Sequence, residues 1–144
     1  MANSRFQAPD RTSVAESLAP AAGQNKRGQY GIYMKNNDFF VVLSTCPDAA
    51  TAERLGRVLV EESLAACVNV LPGLRSIYRW NEAVHCDEEA MMIIKTTAAQ
   101  LAAARERLVA LHPYEVPEVV ALPVADGHHA YLEWVAASTR IPQT

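Results

Sequence analysis

Two runs in this chain restrict its fold more than any other feature. Phe39-Phe40-Val41-Val42-Leu43-Ser44-Thr45 and Ala90-Met91-Met92-Ile93-Ile94-Lys95-Thr96 are apolar at nearly every position. β-Branched, aromatic and other bulky apolar residues suit extended backbone. Successive side chains of a strand point to opposite faces, so such strands need cover on both faces of their sheet. A third run, Leu64-Ala65-Ala66-Cys67-Val68-Asn69-Val70-Leu71, reads the same way. Pro72-Gly73 interrupts it, and strand-like alternation resumes through Ser76-Ile77-Tyr78-Arg79-Trp80. The polar stretch Asn81 to Glu88 then reverses the chain, which makes the second and third strands one long hairpin. A fourth strand is expected over Glu118 to Val124, where Pro117 and Pro123 suit an edge position.

Helical signals separate these strands. Asp48 is placed to cap a helix whose Ala52, Leu55, Val58 and Leu59 form one apolar stripe. Thr97 and Gln100 have the spacing of a capping box ahead of Leu101, Ala104, Leu108 and Leu111. Pro113 ends that helix. Asp126 to Ser138 reads as a last helix, with Tyr131, Trp134, Val135 and Ser138 along one side. The order is strand, helix, strand, strand, helix, strand, helix. Two right-handed βαβ units joined by a hairpin give an α+β, ferredoxin-like βαββαβ sandwich, here with an extended hairpin and a C-terminal helix. Its helices cover one face of the sheet. The apolar second face therefore predicts contact with another subunit, with the hairpin as an arm.

The 144 residues suit one domain, and the 50% hydrophobic share is enough for one core. A net charge of −3 speaks against a nucleic-acid partner. Three cysteines, none in a C-x-x-C pair, form neither a disulfide framework nor a zinc finger. They point to a reducing, cytoplasmic setting. No apolar run reaches the roughly 18 to 20 residues of a membrane span, so no membrane partner is expected. Residues 1–37 differ from the rest and read as a flexible leader, with the folded domain over 38–144. Two other readings of the leader are a targeting segment and an upstream start before Met34. Arg5, Arg11, Lys26 and Arg27 are scattered through it, but Asp10 and Glu16 spoil a transit-peptide pattern.

Several stretches, in order and with matching spacing from Phe39 to Arg140, carry a resemblance. They are Thr45-Cys46-Pro47-Asp48, Leu64-Ala65-Ala66-Cys67-Val68-Asn69, Ser76-Ile77-Tyr78-Arg79-Trp80, Ile94-Lys95-Thr96, His112-Pro113-Tyr114-Glu115-Val116-Pro117-Glu118 and Tyr131-Leu132-Glu133-Trp134. The set is similar to the CutA family of divalent-cation tolerance proteins. The resemblance implies a tight homotrimer built through sheets and hairpin arms, much like PII signalling proteins. It also implies a link to tolerance of copper and other divalent ions. Animal relatives are associated with cell-surface acetylcholinesterase as partners. No catalytic activity comes with the family, and no organic cofactor.

The resemblance also supplies candidate residues. Some bacterial relatives bind copper through a cysteine late in the first strand and two histidines before Pro-Tyr. Those positions here are Ser44, Leu111 and His112, so only His112 matches. Cys46, two residues beyond Ser44, is a candidate replacement thiolate because alternate strand residues share a face. The blander reading of His112 is a helix-terminal residue that reaches solvent and is favoured by the macrodipole. Copper(II), or another divalent cation, is the ligand this set implies. Trp80, Lys95, Tyr114 and Glu118 resemble a polar set lining clefts between subunits, with Lys95 and Glu118 expected to pair. A small anion or metabolite is the alternative occupant, which would make the chain a PII-like scaffold or regulator. His85-Cys86-Asp87-Glu88-Glu89 falls in the expected hairpin tip and reads as a solvated tip before it reads as a ligand set. The chain has Trp80-Asn81-Glu82 where the family often has Trp-Lys-Gly. His128-His129 diverge on a helix and do not share an ion unaided. No G-x-S-x-G, H-E-x-x-H or glycine-rich phosphate loop is present, so no enzyme is expected.

Overall fold

The computed structural model describes residues 38–141. The expected leader, 1–37, lies outside the described residues. Strand β1 (Phe39–Cys46) leads into helix α1 (Ala49–Glu61), then β2 (Cys67–Trp80), β3 (Ala83–Thr97), α2 (Ala98–Leu111), β4 (Val120–Pro123) and α3 (His129–Ser138). The four strands form one antiparallel sheet in the order β2-β3-β1-β4. This is the ferredoxin-like arrangement the sequence predicts.

One face of the sheet carries Val42 and Cys46 from β1 and Ala90, Met92 and Ile94 from β3. They are buried against Ala52, Leu55 and Leu59 of α1 and Leu108 of α2. The opposite face carries Val41, Leu43, Met91 and Ile93, which are half-buried. Leu132 and Val135 of α3 pack with Phe39 and Ala66 as a second small cluster. Trp134, expected on the same side, is exposed instead. Asp48 caps α1 as expected, accepting the Thr51 amide at 2.7 Å. Gly56 lets that helix sit close on β2: a Cβ there would meet a Val68 methyl at 3.0 Å.

Four local expectations are corrected. Leu64 to Ala66 are not strand. They close the end of α1, where the Leu64 and Ala65 amides donate to the Leu59 carbonyl. Asn81 to Glu88 is not a long tip. Only Asn81 and Glu82 turn, with φ of 49° and 65°, and β3 is already paired from Ala83. Polar side chains suggested a loop, but an exposed two-stranded ribbon tolerates them on both faces. The interruption expected at Pro72-Gly73 is present as a register shift between Leu71 and Leu74 within β2, with Gly73 at φ 76°. Thr97 makes no side-chain cap: its hydroxyl lies 3.3 Å from the Thr139 hydroxyl, and the buried Gln100 side chain donates to the Thr139 carbonyl at 3.0 Å instead of reaching back to Thr97. The fourth strand is also shorter than expected, beginning at Val120.

Candidate functional site

Ser44 and Cys46 point from β1 into the buried face, and Met92 lies directly across from Ser44 on β3. His112, the residue after α2, closes the cluster. The Cys46 thiol donates to Met92 Sδ at 3.5 Å and lies 3.6 Å from His112 Nε2. His112 is buried rather than reaching solvent. Its Nε2 lies 2.9 Å from the Thr45 carbonyl, and its Nδ1 accepts the Tyr114 amide at 3.1 Å. A ring that accepts at Nδ1 and donates at Nε2 is the neutral tautomer. Burial pushes the Cys46 thiol up to about 11, with the Glu89 and Asp48 carboxylates adding to it. The Ser44 hydroxyl is buried without a hydrogen-bond partner.

The fold thus brings Cys46 and His112 together. As they stand, the pair offers a divalent ion no free donor: the thiol keeps its proton and both ring nitrogens are engaged. Among the described residues no three His, Cys, Asp or Glu side chains converge as a metal site.

Beside this cluster runs a groove of about 900 Å³ between the hairpin and the segment after α2. Trp80, Tyr114 and Glu118 all line it. The Tyr114 hydroxyl donates to Glu89 at 2.6 Å, and burial and that bond push its ionisation upward, so it stays protonated. Tyr78 donates to Asp87 across the ribbon. The groove holds five carboxylates (Asp87, Glu88, Glu89, Glu115 and Glu118) and no lysine or arginine. It therefore suits a cation, and the anion expected from the sequence is electrostatically the wrong sign.

Lys95 is not in this groove. It lies beside a smaller cavity of about 180 Å³ near α3. Its ammonium donates to Asn69 and to the Ile93 carbonyl rather than pairing with Glu118. The register explains this, since Lys95 lies opposite Cys67 and Asn69 is on the same strand two residues on. The His85-to-Glu89 run is strand, not tip. His85 stacks on Tyr78 at 5.5 Å, and Arg75 donates to Cys86 Sγ at 3.3 Å. His129 pairs with Glu133 at 3.1 Å. Sequence reasoning missed Met92 and read Glu89 as part of a solvated tip, whereas it is buried. Glu89 carried a signal, an acid at the head of an apolar strand; Met92 carried none, because only the strand register places it beside Cys46.

Fold and site together define a small ferredoxin-like α+β protein with a buried sulfur–imidazole cluster beneath an acidic groove. The family model described as "CutA1 divalent ion tolerance protein" matches residues 40–138, and the chain belongs to that family. It is 50% identical over 99 residues to the "Divalent-cation tolerance protein CutA" of Thermus thermophilus, covering 69% of this chain and 96% of the relative. It is 45% identical over 100 residues to "Protein CutA, chloroplastic" of Arabidopsis thaliana, covering 69% of this chain and 55% of that longer protein. Among solved structures, CutA from Xylella fastidiosa superposes with a TM-score of 0.70 at 46% identity, covering 72% of this chain and 99% of the other.

Proposed function

We propose that this chain is a divalent-cation tolerance protein that takes part in the response to copper or other divalent metal ions and catalyses no reaction. The observation that carries this reading is the family match over 40–138, with a 50% identical bacterial relative of that name. It works as a homotrimer. The exposed Ile77, Val84 and Trp80 on the hairpin and the half-buried second sheet face support that assembly. It works in the cytoplasm, without a nucleic-acid or membrane partner. Three free cysteines support a reducing compartment, and no described helix is long and apolar enough to cross a membrane. The test is growth. Removing the gene should sensitise its host to copper(II), and the intact chain should restore growth; unrestored growth overturns the reading.

Copper(II) at Cys46 and His112 would have to displace the thiol proton and one imidazole hydrogen bond. Calorimetric titration of tag-free protein is expected to give weak, unsaturable heat. A saturable site near one per subunit, lost on His112→Ala, would reverse that. A second reading, a PII-like regulator holding a ligand in its intersubunit clefts, is favoured by one observation: Trp80, Tyr114 and Glu118 share the groove. Its ligand would carry positive charge.

A further inference from the structure

We propose that the acidic groove between the hairpin and the segment after α2 binds an aliphatic polyamine, a flexible chain bearing two or more ammonium groups. This rests on the second reading above, a ligand held in the cleft, and names its class. The observation that carries it is a buried charge without a counter-charge. Glu89 is only 8% exposed, yet it lines the groove. One of its oxygens accepts the hydroxyl of Tyr114, a neutral donor, at 2.6 Å. Among the described residues its other oxygen has no hydrogen-bond partner, and no cation is paired with it. Buried carboxylates are otherwise paired, because desolvating a lone charge is costly.

The nearest cations are engaged elsewhere. Arg75 donates to Cys86 Sγ and lies opposite Glu88, so it offsets charge there and at Asp87. Arg79 donates to the Glu82 carbonyl at the turn. Neither lines the groove, and Glu115 and Glu118 enter it from the opposite side. The field in the groove therefore stays negative after Arg75 is counted.

Size and walls select the kind of cation. At about 900 Å³ the groove is far larger than a metal ion and lies in the small-molecule range of roughly 300 to 1,000 Å³. Hard ions demand several oxygens around one centre, and among the described residues no such convergence exists. The carboxylates are spread instead. Asp87 and Glu89 are two residues apart on one face of β3, about 6.7 Å, a span that a short methylene link between ammonium groups bridges. The walls include Tyr78, Trp80 and Tyr114. Such rings cover methylenes and attract ammonium to their faces. Tyr78 donates to Asp87 and Tyr114 to Glu89. A phenol polarised by a carboxylate is more electron-rich, which strengthens its ring as a partner for a cation.

The experiment is calorimetric titration of the full chain, in its native assembly, with spermidine at low salt. Magnesium chloride and tetramethylammonium are titrated in parallel. Saturable binding of one spermidine per subunit is expected, tighter than either of the others. Glu89→Gln keeps an acceptor for Tyr114 and nearly the same volume. It should weaken binding about thirtyfold or more, as when a buried charge loses its partner. Trp80→Ala should weaken it about fivefold. Glu118→Gln, at an exposed position that tolerates substitution, should weaken it about threefold and serves as the test if Glu89→Gln unfolds. Glu53→Gln, an exposed acid on α1, should change nothing. Spermidine binding unaltered by the groove variants, or no tighter than that of magnesium, overturns the inference. Binding of tetramethylammonium or magnesium without spermidine overturns the polyamine and leaves a liganded cleft standing; binding of none of the three removes both.

Discussion

Strand β3 passes through two environments. From Ala90 to Thr97 its residues alternate between buried and half-buried, pressed between the helical layer and the second face. From Ala83 to Glu88 every residue is exposed, although the ladder to β2 is unbroken through Trp80 and Ala83. The body half of β3 is paired on both edges, with β1 and with β2, whereas the arm half is paired with β2 alone, so burial and backbone pairing fall together. The body of the sheet is therefore held by its apolar contacts, while the arm draws little on them. An isolated two-stranded ribbon is marginal in water. The arm owes its order to the sheet at its base and, in the trimer proposed here, to a neighbouring subunit.

This contrast can be broken most severely in the body. Leu55 is fully buried in the main core. Leu55→Ala should lower unfolding stability by about 3 kcal/mol through lost transfer energy and an unfilled cavity, measured by denaturant titration. A loss below about 1 kcal/mol would mean the core does not carry the fold as described. In the arm, Ile77 is 74% exposed. Ile77→Asp should alter the stability of the single subunit by no more than about 0.5 kcal/mol. It should nevertheless shift the mass seen by light scattering from three subunits towards one, with circular dichroism unchanged. A variant that remains trimeric would remove the arm from the interface.

The smallest effect is acid sensitivity in the body. The Asp48 carboxyl is held below its usual range by the Thr51 amide, and that of Glu62 by the Arg107 guanidinium at 2.7 Å. A carboxylate whose folded pKa is depressed contributes stability that is present above its unfolded pKa. That stability is lost as pH falls through the folded value. Melting temperature should therefore be flat near neutrality and fall from about pH 4 downward. Asp48→Asn, which keeps an acceptor for the cap, should flatten part of that fall. A melting temperature indifferent to acid would show that these contacts contribute nothing.

The same contrast explains what the sequence discloses. Buried periodicity and local caps are legible. The apolar runs, the helical spacings, the Asp48 cap and the proline stops place all seven elements in their order. The arm was legible only in outline. Its polar residues lie in a strand whose pairing depends on a neighbour, not on burial, so Asn81 to Glu88 looked like a turn. Non-local contacts were hidden for the same reason. Gln100 serves Thr139, 39 residues away, instead of capping its own helix. Lys95 turns to Asn69 instead of Glu118. At the candidate site, the approach of Cys46 to His112 follows from strand geometry that the sequence suggests. The part played by Met92 follows from register alone.

The two-residue turn at Asn81 and Glu82 has an evolutionary consequence. Both residues adopt left-handed backbone without being glycine, so the tip is a local contrivance that carries none of the core. Residues can be inserted there in pairs, one per strand, without altering any register below. Each added pair would lengthen the arm by about 3.3 Å. A single added residue would instead slip one strand past the other and turn its side chains over. Reach is thus a dimension this architecture can vary in even steps, independently of the sheet that supports it.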